Sequence, residues 1–325
     1  MQNYNFFSDN YYLCSKIFLK SMLNRRILRI KAFKVVYSRV ENPAMTKGDA
    51  EYELESSCEA TRDLYLRLLA LAGPLTDEAL SRIEAARSKF NPSEEELNPN
   101  MKFVRNGIAP LLATDPDFNK LVKKKKISWE NDDVFLRRLY ESIRGKDYFK
   151  AYLEAPGQSL SEDAALFSRI YEEEFSGNED LEDILEDLSI YWNDELEYAL
   201  QWCCRTMEQL GKGRPWALPE LYMSEMPGAE GKDSDKAFVY NVVRTAIRNF
   251  DRYYQMVSEV TPKWDTNRIC ATDLALIICG LAEADSTAID YRTTINEYVE
   301  ISKYYSTPES RAFVNGVLDK LINKK

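Results

Sequence analysis

The apolar positions of this chain recur at helical spacing almost from end to end. Across residues 22–42, Leu28, Ala32, Val35 and Val36 fall at i, i+4, i+7 and i+8, widened by Ile30, Phe33 and Tyr37, and Asn42-Pro43 supplies a stop. A second amphipathic pattern over 48–72 runs through Tyr52, Leu54, Leu64, Leu66, Leu68 and Leu69 to Gly73-Pro74. A third extends from Thr76 to about Phe90, with Asn91-Pro92 as its stop. The stretch 92–235 has helical faces of its own: Phe135, Leu136, Leu139 and Tyr140, then Leu166, Ile170 and Tyr171, then Leu181 to Trp192. Glycine, proline and charge collect over 211–235, which reads as a linker or long loop. From Asp235 the pattern strengthens: Phe238, Val242, Val243, Ile247 and Phe250 line a helix reaching about Val260. Thr272–Ala284 is nearly all apolar, as for a helix buried on most sides, and helices follow over Thr294–Tyr305 and Thr307–Leu321. No run alternates as a strand would, and no repeat is present. The expected class is all-α.

Composition sharpens this. The 325 residues are long enough to bury a substantial core and include only 12 glycines and 12 prolines, few for a turn-rich β architecture. There is no histidine, which removes Ser-His-Asp and Cys-His catalysis and histidine metal ligation. Cys14, Cys58, Cys203, Cys204, Cys270 and Cys279 show no CxxC spacing, so neither a zinc site nor a disulfide framework is expected, and free thiols in a reducing cytoplasm are. No apolar run approaches a membrane span, and residues 1–21 lack the features of a signal peptide; they read as an extension outside the functional fold. A net charge of -10 argues against the whole surface as a polyanion binder, although a local basic patch would suffice.

One such patch stands out. Between Met22 and Val40 lie Arg25, Arg26, Arg29, Lys31, Lys34 and Arg39, with no acidic residue among them. Three arginines crowd a helix start, where the macrodipole favours carboxylates, so an anion bound there would relieve the conflict. The alternative is a basic face that is solvated or salt-bridged, with help from the acidic middle region. At the other end, Ile295, Val299 and Ser302 mark an inner helix face, with Asn296, Glu297, Glu300 and Lys303 pointing outward. Ser306-Thr307-Pro308-Glu309 reads as a helix start, capped either by Thr307 or by a Ser306–Glu309 box. Gly316 falls inside the helical pattern of Phe313, Val314, Val317, Leu318 and Leu321, which points to close approach by a backbone or ligand, or to tight helix packing.

Other signals carry less. Lys123–Lys126 beside Trp129 reads as a solvated loop before it reads as a second RNA contact. The acidic runs at 172–174 and 180–187 read as exposed helix faces, not as paired catalytic carboxylates. Gly211-Lys212-Gly213 lacks the rest of a phosphate loop, and Cys203-Cys204 read as packing beside Trp202.

Two of these segments carry a resemblance. INEYVEISKYY over 295–305 and FVNGVLDKL over 313–321 resemble the C-terminal signature of the NusB family. NRRILRIKAFKVVYS over 24–38 is similar to that family's arginine-rich first helix. The resemblance covers about residues 22–72 and 236–321. It implies a NusB-like two-subdomain helical bundle with a long helical insertion: 1–21 an extension, 22–91 N-terminal helices, 92–235 an acidic insertion and linker, 236–325 the C-terminal subdomain. It further implies a non-enzymatic, cofactor-free, cytoplasmic factor. Such a factor binds boxA-like leader RNA of ribosomal transcripts together with a small-subunit ribosomal protein (NusE), and as part of an RNA polymerase antitermination complex suppresses premature termination. By position, Arg25, Arg26, Arg29, Lys31 and Lys34 would meet RNA with Tyr37 nearby. Glu309, Ser310 and Phe313 would add specificity, with Phe313 stacking on a base, and Asp273 would face the protein partner. The chain departs from the pattern at Tyr304, Tyr305 and Ser306, which puts the RNA preference in question. The rival readings are a protein-only helical scaffold built around the acidic stretch, and an RNA methyltransferase of the kind to which NusB-like modules are fused. The second lacks a strand-glycine signature for a cofactor domain.

Overall fold

The computed structural model describes residues 21–214, 216–222, 234–261 and 269–322. They form helices joined by short turns, and Ser21 and Glu220 make an isolated bridge. Among the described residues no helix is long and apolar enough to cross a membrane.

The chain divides into two compact units, 1–59 with 219–325 and 60–218. These borders differ from those expected at 91/92 and 235/236, for a local reason at each end. Residues 60–70 carry side chains committed to the middle region: Tyr65 bonds Thr206 at 2.8 Å, and Arg67 reaches the Ser128 carbonyl and Asp132. Residues 219–222 instead pair with the start of the chain, where the Met22 and Leu23 N–H groups donate to Glu220 and Leu221. The expected extension over 1–21 lies outside the described residues apart from Ser21.

The first unit is built around one helix. We number the helices α1 (Arg25–Glu41), α2 (Lys47–Ala70), α3 (Ala72–Arg87), α4 (Glu94–Leu97), α5 (Ile108–Thr114), α6 (Pro116–Lys125), α7 (Asp133–Gly145), α8 (Asp147–Glu154), α9 (Leu160–Ile170), α10 (Glu179–Leu188), α11 (Leu196–Gly211), α12 (Asp235–Arg248), α13 (Phe250–Val260), α14 (Ala271–Ser286), α15 (Tyr291–Tyr305) and α16 (Ser310–Ile322). Every residue of α14 from Asp273 to Glu283 is buried, because α1, α12, α13, α15 and α16 all pack on it. Its apolar sequence has no solvent face to supply. Gly280 is the point of closest approach: a Cβ there would lie 2.7 Å from Leu318 Cδ2 of α16. Gly316, the glycine singled out in the sequence, is the opposite case. It is exposed, and a Cβ there would meet nothing within 4 Å.

The second unit holds residues 60–70 of α2 and all of α3 to α11. α9 packs on α11, α3 on α7, and a π-helical turn over Tyr171–Phe175 follows α9. Three boundaries differ from the expected ones. Gly73-Pro74 does not separate helices; both sit in the first turn of α3, where a missing proline N–H costs nothing. The helix expected to run through to Val260 breaks at Asn249. The lysine run is the last turn of α6, with Lys126 in the left-handed conformation after it.

Gly280→Ala should lower stability by about 1–3 kcal/mol, because the fully buried Leu318 side chain must shift to admit the methyl group. Gly316→Ala should raise it by about 0.5–1 kcal/mol, since an exposed helical glycine gives up only backbone entropy. Urea unfolding of the two variants checks both signs.

Candidate nucleic-acid interface

The basic first helix divides into an inner and an outer set of cations. Asn24 caps α1, its side chain accepting from the N–H groups of Arg26 and Ile27 at 3.0 and 3.1 Å, so the helix start is satisfied without a bound anion. Each of the three arginines is then met by a carboxylate from the C-terminal helices. Arg25 Nε lies 3.1 Å from Asp235, at the start of α12. Arg26 donates to both Glu297 oxygens, at 3.0 and 2.8 Å. Arg29 makes a two-pronged bond to Glu283 of α14, at 2.9 and 2.7 Å, and reaches Glu297 at 3.4 Å. Salt bridging within the molecule describes these arginine heads, but the carboxylates come from α12, α14 and α15 and not from the acidic middle region.

Arg29 and Glu283 are buried, their side chains 5% and 0% exposed. Glu283 also accepts from Thr294 Oγ1 at 3.1 Å and the Tyr298 hydroxyl at 3.0 Å, so its lone pairs are used. Burial works against charge on Arg29, but the hydrogen bonds and charge of Glu283 outweigh it, and the guanidinium is held more firmly protonated than usual. Glu297 shows the same contest: burial favours its neutral form, yet Arg26 and Arg29 together hold its carboxyl below the ordinary glutamate range. Burial pushes the Tyr298 hydroxyl well up, with Glu283 adding to it.

Several expected site residues are therefore corrected. Arg29 and Lys31 do not reach the surface: Lys31 is fully buried and donates to the Ser57 carbonyl at 2.7 Å and its hydroxyl at 3.2 Å. Asp273 is buried instead of facing a partner. It accepts hydrogen bonds from Ser306 and from Ser310, the latter at 2.8 Å, which ties the start of α14 to the start of α16. Ser310 is buried for the same reason, and the Ser306 and Thr307 hydroxyls both converge on its Oγ. Glu297 points inward to α1, not outward. Trp129 is no stacking platform beside the lysines; it is buried beneath Arg67, whose guanidinium lies 4.1 Å from its ring centre. Glu174, expected on an exposed face, is buried and accepts from Ser142 and Tyr148.

Lys34, Tyr37, Glu309 and Phe313 lie toward one end of the first unit, and Arg25 and Arg26 at the opposite end of α1. Phe33 of α1 packs on Tyr305, the last residue of α15, with ring centres 5.3 Å apart, and Tyr37 stands 6.4 Å from Phe33. This brings exposed Tyr37 and half-buried Lys34 to the side of the molecule where α15 turns into α16. Glu309 is exposed there and Phe313 half-buried, with Gly316 one turn further on. Arg25 keeps 41% of its side chain exposed and Arg26 keeps 29%. Arg39, one of the six basic residues but not among the expected contacts, lies over the Phe250 ring at 4.5 Å. The carboxylates that organise the patch were missed. Glu283, within the nearly all-apolar run Thr272–Ala284, is the signal, since a buried carboxylate requires a cation.

Comparison with known proteins matches residues 197–323 to the NusB family model. That stretch runs from α11 to α16; it begins within the region assigned to the insertion and leaves out α1. A transcription antitermination protein NusB from Alkaliphilus oremlandii is 32% identical over 95 residues, 29% of this chain and 69% of that protein. One from Thermoanaerobacter sp. is 30% identical over 127 residues, 38% of this chain and 87% of the relative. One from Thermodesulfovibrio yellowstonii is 34% identical over 98 residues, 30% of this chain and 65% of the relative. No solved structure matches the chain.

Arg29→Ala should cost about 3–5 kcal/mol in chemical denaturation, because it leaves Glu283 buried and uncompensated. Since the Glu297 pKa is lower folded than unfolded, its contribution is complete above the unfolded value of about 4.3 and is lost as pH falls through the folded value. Stability measured from pH 7 down to pH 3 should therefore fall less steeply at the acid end in Glu297→Gln than in the wild type.

Proposed function

The chain belongs to the NusB family, and from that premise we propose that it is an RNA-binding transcription antitermination factor. It binds boxA-like leader RNA of ribosomal transcripts in the cytoplasm together with a small-subunit ribosomal protein (NusE), and keeps RNA polymerase from terminating early. It catalyses nothing and carries no cofactor; its relatives are named as antitermination proteins.

The observation that carries this reading is the grouping of Lys34 and Tyr37 on α1 near the α15–α16 turn with Glu309 and Phe313, with the exposed parts of Arg25 and Arg26 further back at the start of the same helix. Cations beside an exposed aromatic ring and a half-buried phenylalanine suit a single strand, whose phosphates meet charge and whose unpaired bases can stack. Arg39 joins the set. Arg29 and Lys31 leave it, because reaching RNA would mean breaking buried bonds. Gly316 lies exposed on the same helix as Phe313, where the missing side chain leaves room for a ligand to come close to the backbone. The internal neutralisation of the three arginines favours the second reading, a protein-only scaffold, and the two are separated by RNA binding itself.

With a fluorescent ribosomal-leader oligonucleotide, Lys34→Ala combined with Arg39→Ala should weaken binding and flatten the plot of log affinity against log salt. Two lost single-strand phosphate contacts reduce the slope by about 1.4. Gly316→Ala should weaken RNA binding while raising stability, opposite signs that a purely structural glycine would not give. No measurable RNA binding by the wild type at moderate salt would leave the scaffold reading in place.

A further inference from the structure

The second unit contains a cleft of about 630 Å³ between α3, the α5–α6 pair and the segment leading into α7. Its deep surface is apolar: Leu69, Leu112, Phe118, Trp129 and Leu136 are all buried side chains at its floor. Nearer the solvent its walls are half-exposed Pro74, Val122 and Ile127. Around this apolar trough stand Asp77, Glu78, Glu130 and Asp133, and no lysine or arginine lines it. Glu78 and Asp133 are paired with Arg82 and Arg137, at 2.6 and 2.8 Å. Asp77 and Glu130 are exposed, and neither carboxylate has an ion-pair or hydrogen-bond partner among the described residues.

We propose that this cleft is a docking groove for a basic, amphipathic helical segment of a partner protein. The volume lies within the ordinary range for binding clefts. The chemistry selects the occupant. Asp77 and Glu130, the two rim carboxylates not paired with an arginine, favour a cationic group at that edge, while exposed Lys123, Lys124 and Lys126 lie on α6 and its end beyond the lining. The apolar floor offers no buried polar group to orient a small polar molecule. A helix laying apolar side chains into the trough and lysines or arginines along its edges satisfies both features. Gly73 belongs to the same surface. It lies in the first turn of α3, lines the cleft, and a Cβ there would meet nothing within 4 Å. With open space at that position, a bulky side chain can enter the groove without displacing the core.

The test uses the full chain and a labelled peptide of about 14 residues (close to four turns), with leucine and lysine at helical spacing. Two controls accompany it, one with glutamate in place of lysine and one with the same composition scrambled. The wild type should prefer the amphipathic basic peptide to both by about tenfold or more. Gly73→Trp, which fills the groove, and Asp77→Lys with Glu130→Lys, which reverses its free rim charges, should each remove that preference. Because Asp77 and Glu130 are exposed and unpartnered, the second variant reports on the groove even if the first is poorly folded. Equal binding of the scrambled peptide, or an equal loss on reversing exposed Asp183 and Glu186 of α10, would mean net charge alone is responsible and would overturn the proposal. So would unchanged binding by the charge-reversed variant.

Discussion

The first unit depends on a buried ion pair. Arg29 and Glu283 are removed from water, a state whose desolvation cost is offset only if both groups are fully bonded. Here they are: the guanidinium uses two donors on one carboxylate and a third on Glu297, while Thr294 and Tyr298 complete the acceptor side. Four helices meet at this point. α1 supplies the cation, α14 the carboxylate, and α15 both hydroxyls and a second carboxylate; α12 lays Phe238 5.3 Å from the Arg29 guanidinium. An aliphatic contact would tolerate sliding of α1 along α14. A bidentate pair fixes its register.

That register governs what α1 can present outward. Six cations in one helix look like a basic surface, but a helix has an inner face, and the inner cations are consumed by the fold. Arg29 and Lys31 face the core; Arg25 and Arg26 are shared between carboxylates and solvent; Lys34 and Arg39 fall on the sides. The field available to a polyanion is thus weaker than the count of charges implies, and concentrated toward the end of α1 where Tyr37 emerges. The two serine hydroxyls on Asp273 act in a similar way at the other edge of the patch, fixing the start of α16 and with it the position of Phe313.

The second unit uses the same chemistry on its own terms. Arg67 is buried between the Trp129 ring, the Ser128 carbonyl and Asp132, and burial pulls its pKa down despite the neighbouring carboxylate. Asp163 is buried with the Gly107 N–H and the Tyr152 hydroxyl as donors. With these charges engaged internally, the acidic residues left at the surface, on α10 and around the cleft, define its outer character. The two units therefore differ in what they offer: a cationic and aromatic edge in one, an apolar groove with an anionic rim in the other.

The sequence by itself determined the helices, the class and the family. Helical periodicity is a local property, set by side chains three and four positions apart, and the NusB-like signature sits on contiguous residues. α14 was legible as a buried helix because its sequence has no polar face. The roles of individual charges were not legible, since a lysine or arginine reads alike whether it meets water or a carboxylate more than 250 positions away, as Arg29 meets Glu283. Nor was the border at residue 59/60, which falls inside a continuous helix and leaves no mark in the local pattern. Only the tertiary structure decided which cations are inside, because burial depends on the partners a helix meets and not on its own periodicity.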